Sequence, residues 1–209
     1  MTVTASVGFD PFVSETLAID FVNTVQVVRA RRIDSLDTNE GLHAFMDAAG
    51  LLERMGSGDA MTSPAVGRLV YEEAHRLRAE VRRLFSAHSG RALPRPETLF
   101  AINRVLGSSA RTSVLETKDG ALTVVELETR DAGTAMVLLA PIALAAVELV
   151  TRVAPTRLRE CAAPDCTTWF VDSSKGGRRR WCSMARCGNR TKAARHRQRN
   201  ALPPEAPRA

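Results

Sequence analysis

The sequence predicts an α+β protein: a mainly helical N-terminal domain carrying a β-hairpin, then a small cysteine-bearing module that ends in a basic helix. Three observations predict it. Apolar residues recur at helical spacing from Val66 to Phe85, Asp119-Gly120 separates two alternating segments, and all four cysteines fall within 27 residues near the C-terminus.

Taken in order, Leu17 to Val28 reads as a helix with Leu17, Phe21 and Val25 (or Val22) on one side. Asp20 and Asn23 stand out within it. An exposed face or a buried capping hydrogen bond is the simpler reading of both, and a ligand pocket the alternative. Asp37-Thr38 is an N-cap for a short helix through Leu42, Phe45 and Met46 that stops near Gly50, followed by a loop over Gly56–Asp59. Ser63 caps the clearest helix, with Pro64 in its first turn and Gly90 at its close. Its stripe is Val66, Val70, Ala74, Leu77, Val81, Leu84 and Phe85, while Glu72, Glu73, Arg76, Arg78, Arg82 and Arg83 read as a solvated face.

After Pro94 and Pro96 a helix carries Leu99, Ile102, Val105 and Leu106. Thr112–Lys118 and Ala121–Glu128 then flank the Asp-Gly pair, whose readiness for positive φ suits a two-residue turn. That register sets Leu115 opposite Val124 and Val114 opposite Val125. Thr134 to Val153 is the central buried helix, bent at Pro141. Its most apolar run, Ala135–Val147, is 13 residues and too short to cross a bilayer. Pro155 marks the boundary, so the expected units are a domain over 1–155, a module over 156–200 and a disordered tail over 201–209.

Charge divides at the same place. Residues 1–155 carry 16 Lys/Arg against 19 Asp/Glu, and residues 156–209 carry 13 against 4. A mildly acidic body with a strongly basic end points to a polyanion as partner of the second unit. Residues 1–16 lack a basic start followed by an apolar run, so the expected location is cytoplasmic, associated with the nucleoid, with no membrane. No phosphate loop, nucleophile elbow or acid–base constellation appears, and His43, His75 and His88 are scattered. The chain is read as a non-enzyme.

The cysteines run Cys161-x4-Cys166, fifteen residues, then Cys182-x4-Cys187. Reduced thiols paired at such spacing indicate a metal before a disulfide. An iron–sulfur cluster accepts the same ligands; basic surroundings and the lack of a redox partner domain favour one structural zinc. Full coordination leaves no place for a reacting water. Ala162–Asp165 is turn chemistry between the first pair. Thr167–Val171 reads as a strand, Ser173–Gly177 as a turn, Trp181 as part of a returning strand, and Ser183 as N-cap of a helix from about Met184 to Arg199. A knuckle, a hairpin and a last ligand on a helix make a treble-clef or zinc-ribbon-like arrangement. Trp169, Phe170 and Trp181 are expected to form the small core beside the metal.

Between Lys175 and Arg199 lie ten Lys/Arg and no acid. On the final helix Cys187, Thr191, Ala194 and Gln198 share a narrow stripe. Arg186, Arg190 and Arg197 flank it on one side and Lys192, Arg195 and Arg199 on the other, while Arg178, Arg179 and Arg180 extend the charge. These nine residues are the candidate nucleic-acid contacts, because neutralising phosphates releases condensed counterions.

With Arg159-Glu160-Cys161, Trp169-Phe170, Trp181-Cys182-Ser183 and Cys187-Gly188-Asn189-Arg190 followed by Lys192, the chain resembles the CGNR zinc-finger family. Leu17-Ala18-Ile19-Asp20-Phe21-Val22-Asn23-Thr24 resembles the opening of the ABATE domain that accompanies this finger. The resemblance implies a stress-induced transcription regulator with a DNA-binding end and a sensing or dimerising domain. It carries over the four Cys ligands and the Gly188-Asn189-Arg190 positions. The expected partner is double-stranded DNA, with a homodimer and a small-molecule effector of the N-terminal domain as further expectations. An RNA- or ribosome-associated zinc protein is the alternative.

Overall fold

The computed structural model describes residues 16–28, 31–52, 64–108, 111–118, 121–128 and 134–201. Helix α1 (Leu17–Val22) leads into an antiparallel pair, β1 (Val25–Val28) and β2 (Arg31–Asp34). Helices α2 (Asn39–Ala48), α3 (Pro64–Ser89) and α4 (Pro96–Gly107) follow. A second hairpin, β3 (Arg111–Lys118) with β4 (Ala121–Glu128), precedes α5 (Thr134–Arg152). The C-terminal part holds β5 (Leu158–Glu160), β6 (Trp169–Val171), a π-turn (Met184–Gly188) and α6 (Asn189–Ala201).

Helix α5 is the centre, packed against α1, α3 and α4. It is 19 residues long, and its Ala135–Arg152 stretch is long and apolar enough by composition to cross a membrane. The helix thus outruns its most apolar run. Leu138, Leu139, Ile142, Ala143, Ala146 and Leu149 are buried in the protein core, the burial such a helix needs in water. The α3 stripe behaves as its spacing dictates: Val70, Ala74, Leu77, Val81, Leu84 and Phe85 are all buried. Ser63 lies outside the described residues, as do the 56–59 loop and residues 202–209. Thr38 caps α2 by accepting from Gly41 N at 3.0 Å. In α4 Ile102 and Val105 are buried, but Leu99 is exposed. Thr98 takes the inward place and donates to Glu80 Oε2 at 2.8 Å. The β3–β4 register pairs Val114 with Val125 and Leu115 with Val124, as expected, while the Asp119-Gly120 pair itself lies outside the described residues.

Two expectations fail in the N-terminal domain. Leu17–Val28 is not one helix: α1 stops at Val22, Asn23 caps it, and Val25-Gln26-Val27-Val28 is strand β1. β-Branched residues at three of these four positions favour a strand once β2 supplies a partner. Nor do Arg78 and Arg82 belong to a solvated face. Arg78 is 4% exposed and meets Asp34 through two hydrogen bonds of 2.6 Å. It also donates to Thr24 Oγ1 (2.8 Å), and its other terminal nitrogen lies 3.0 Å from His75 Nδ1. Because arginine only donates, that His75 nitrogen accepts, and Nε2–H donates to Leu36 O at 3.0 Å. The network rivets β2 and the α1–β1 turn to α3. Burial raises the Asp34 pKa, but hydrogen bonding and charge from Arg78, with the Leu36 N–H, outweigh it and hold the carboxyl below its usual range.

Candidate metal centre and nucleic-acid interface

The C-terminal part is built on a hairpin whose loop is the first cysteine pair. β5 pairs antiparallel with β6, Arg159 opposite Phe170 and Glu160 opposite Trp169, so Cys161 and Cys166 lie in the connection. This corrects the expected strand pairing, in which β6 returned through Trp181: residues 178–183 form no strand. Asp172 supplies the reason. Its carboxylate is 1% exposed and accepts from Ser174 N (3.0 Å), Ser174 Oγ (2.5 Å) and Arg179 N (2.9 Å), turning the chain aside directly after β6. Burial raises its pKa, but these bonds and the nearby Arg159 charge hold it below the carboxylate range.

Three arginines splint the loop that follows. Arg157 donates to Asp172 O and Ser174 O, and Arg159 to Gly177 O (2.8 Å) and Arg179 O (3.2 Å). Arg179 donates to Trp181 O (3.1 Å) and Cys182 O (2.5 Å), with its guanidinium 4.5 Å from the Phe170 ring centre. Gly177 turns the chain at φ +58°, a left-handed conformation that glycine adopts without a Cβ clash.

Side-chain alternation along β6 splits its aromatics. Trp169 enters the main core, edge-on to Phe85 with ring centres 5.6 Å apart, and Leu158 joins it there. Phe170 faces the other way and packs with Cys161, Ala163 and Cys187, with Trp181 alongside. The expectation that all three aromatics sit beside the metal therefore holds for Phe170 and Trp181 but not for Trp169. The period of two in a strand sends neighbours to opposite faces, and here both faces are covered.

Ser183 accepts from Arg186 N (3.3 Å) and opens the last helix with a π-turn that brings in Cys187. At Gly188 a Cβ would stand 2.6 Å from Met184 Sδ and 3.3 Å from Trp181 Cε3, so a larger residue there would make the exposed Met184 side chain swing aside. The four sulfur atoms lie within 4.8 Å of one another, with Cys166–Cys182 at 3.8 Å and Cys182–Cys187 at 3.6 Å. Sulfurs at the corners of a tetrahedron with bonds of about 2.3 Å would be about 3.8 Å apart, so the cage fits zinc. Without metal such thiols compete for protons. Hydrogen bonds from Cys161 and Cys182 drive Cys166 far down, hydrogen bonding to Cys161 and Cys166 drives Cys182 far up, and burial pushes Cys187 up to about 11. A dication removes the conflict by binding all four as thiolates. Cys182 N–H donates to Cys161 Sγ at 3.4 Å, Thr168 Oγ1 lies 3.3 Å from Cys166 Sγ, and Arg190 lies 3.9 Å from Cys187 Sγ, all suited to spread the negative charge of four thiolates.

The module is fastened to the helical domain by a clamp. Asn23 Nδ2 donates to Trp169 O (2.9 Å), and Trp169 N–H donates to Asn23 Oδ1 (2.8 Å), so the side chain acts as one more pairing partner for β6. Arg82 donates to Val22 O (3.0 Å) and Thr167 O (3.1 Å) and reaches Glu160 at 3.4 Å.

On these observations the comparisons fall into place. The ABATE model, described as "Putative stress-induced transcription regulator", matches residues 15–153. The chain belongs to the ABATE family. The CGNR zinc-finger model matches residues 157–200, the cysteine module of this ABATE protein, and with the sulfur cage it assigns one structural zinc. No curated protein matches the sequence.

The nine candidate basic contacts separate by environment. The Arg179 guanidinium is spent inside the module, and that of Arg190 donates to Asp165 Oδ1 at 2.7 Å. Arg186 is exposed and donates to Gln26 Oε1 on β1 at 3.2 Å. Arg178, Arg180, Lys192, Arg195, Arg197 and Arg199 are exposed, and Arg180 and Lys192 stand 5.5 and 5.8 Å from the Trp181 ring centre. Along α6 the stripe holds for Cys187, Thr191 and Ala194, while Gln198 is exposed because the helix outruns the module. Asn189, in the first turn of α6, is exposed. Sequence reasoning missed Asp172, Arg82 and the Arg157–Arg159 splint. Asp172-Ser173-Ser174 after an apolar strand was a readable turn signal for the first.

Proposed function

We propose that this ABATE protein is a DNA-binding transcription regulator. Its zinc module presents a cationic helix to the duplex, and its helical domain senses a small molecule or dimerises. The observation that carries the reading is the surface of α6 and the 178–180 segment: six exposed cations with no acidic residue between Lys175 and Arg199 to neutralise them. Uncompensated charge clustered in this way repels itself and is relieved by a polyanion. The family description agrees with a regulator. Arg195, Arg199 and Lys192 are the leading phosphate contacts. Arg179 and Arg190 act one step back, by holding the loop and the helix start in place.

The test is titration of a fluorescent duplex and of a structured RNA with zinc-loaded protein across a salt series. Preference for the duplex, with log affinity falling at a slope of roughly −4.5 against log salt for about five phosphate contacts, is the expected result. Clear preference for RNA would instead favour an RNA- or ribosome-associated role.

A further inference from the structure

We propose that the β1–β2 hairpin of the N-terminal domain is a second contact surface for duplex DNA, with Arg31 as its phosphate-binding residue. The inference rests on the DNA-binding reading of the finger and adds a surface from outside it.

The hairpin stands beside the start of the finger helix. Arg186, in the π-turn, donates to Gln26 on β1, and one turn before β1 the Asn23–Trp169 clamp fixes the base of the hairpin to β6. Register then decides which residues share the Gln26 face. Gln26 is paired with Ile33 and Val28 with Arg31, and residues two apart along a strand lie on the same side. Arg31 is therefore on the face turned to Arg186, about 7 Å further along the hairpin at about 3.4 Å per residue. It is exposed and, among the described residues, forms no ion pair. Ile33, opposite Gln26 on that face, is itself partly exposed, at 37%.

Arg32 makes a built-in contrast. It is paired with Val27 on the opposite face, bonded to Asp34 at 3.1 Å, which itself holds the buried Arg78. Two adjacent arginines thus differ in direction and in partner. Arg31 continues the line of free positive charge from Arg186, while Arg32 is directed to the α3 side, where an acid receives it.

The experiment uses the full, zinc-loaded chain and a fluorescent duplex, titrated at several salt concentrations. Arg31→Ala is expected to weaken binding and lower the steepness of the log–log salt slope by about 0.9. Its disadvantage relative to wild type should shrink about 3.5-fold between roughly 50 and 200 mM salt. Arg31→Lys should keep the slope and Arg32→Ala should leave it unchanged, with zinc content and helicity equal in all. If Arg31→Ala binds as wild type while Arg195→Ala does not, the hairpin surface is refuted and the finger reading stands. If neither alters binding, or Arg32→Ala weakens it as much as Arg31→Ala, the proposal falls. No duplex binding by wild type would overturn the finger reading along with it.

Discussion

Helices α3 and α6 are both rich in arginine and use it in opposite ways. On α3 every arginine from Arg76 to Arg83 has an acid or a carbonyl within reach: Arg76 pairs with Glu72 and Glu73, Arg78 with Asp34, Arg82 with Glu160, and Arg83 with Glu80. On α6, among the described residues, Arg190 alone has a carboxylate, Asp165, and Arg195, Arg197 and Arg199 are exposed. The residue type is the same; what differs is the supply of acids, abundant in the body and nearly absent after Lys175. The comparison teaches that arginine content says little until partners are known. It also separates the two regions by what holds them. The body rests on an apolar core pinned by one buried ion network. The module has a small core of Cys161, Ala163, Phe170 and Cys187, and needs its metal.

The sharpest way to break this contrast is to remove the metal. Cys182→Ser should release zinc and unfold the module while leaving most of the helical content of α1–α5. Zinc contributes about 10–16 kcal/mol in comparable peptides, so metal analysis and circular dichroism should both report the change. Zinc retained at one per chain would show that Cys182 is no ligand.

Next comes the ion network. Arg78→Ala leaves Asp34 buried without its partner and should destabilise the body by about 3–5 kcal/mol, read by denaturant unfolding. The same change at Arg195 should alter stability by less than about 0.5 kcal/mol. Equal effects at the two sites would dissolve the comparison between the helices.

The clamp between the regions is worth less. Asn23→Ala removes two hydrogen bonds from the Trp169 backbone and should cost about 1–3 kcal/mol. Faster amide exchange at Trp169, with zinc still bound, would distinguish it from loss of the metal.

Acid provides the smallest and most specific readout. The folded-state pKa of Asp34 lies below its unfolded value of about 3.9, so its contribution is full above that value and is lost as pH falls through the folded one. Stability of wild type relative to Asp34→Asn should therefore hold constant near neutrality and decline below about pH 4. A difference independent of pH down to full protonation would contradict the ion pair.

Much of this was legible in the chain because it depends on short-range pattern. Helical spacing fixed the α3 stripe, the Asp-Gly pair set the β3–β4 register, and cysteine spacing named the metal ligands. Ser183 and Thr38 announced their helices because a cap acts within three residues.

What tertiary structure decided were relations between distant residues of ambiguous local character. Val25–Val28 could continue a helix until β2 arrived to pair with it. Asn23 stood out as a polar residue among apolar ones, but its partner, the backbone of Trp169, lies 146 positions away and could not be read from the segment. Trp169 and Phe170 are neighbours of one chemical type, and only the covering of both faces of β6 sends one to the body and the other to the zinc. Local sequence determines what a segment can form; which face is buried, and which arginine meets an acid, depends on neighbours the chain brings from elsewhere.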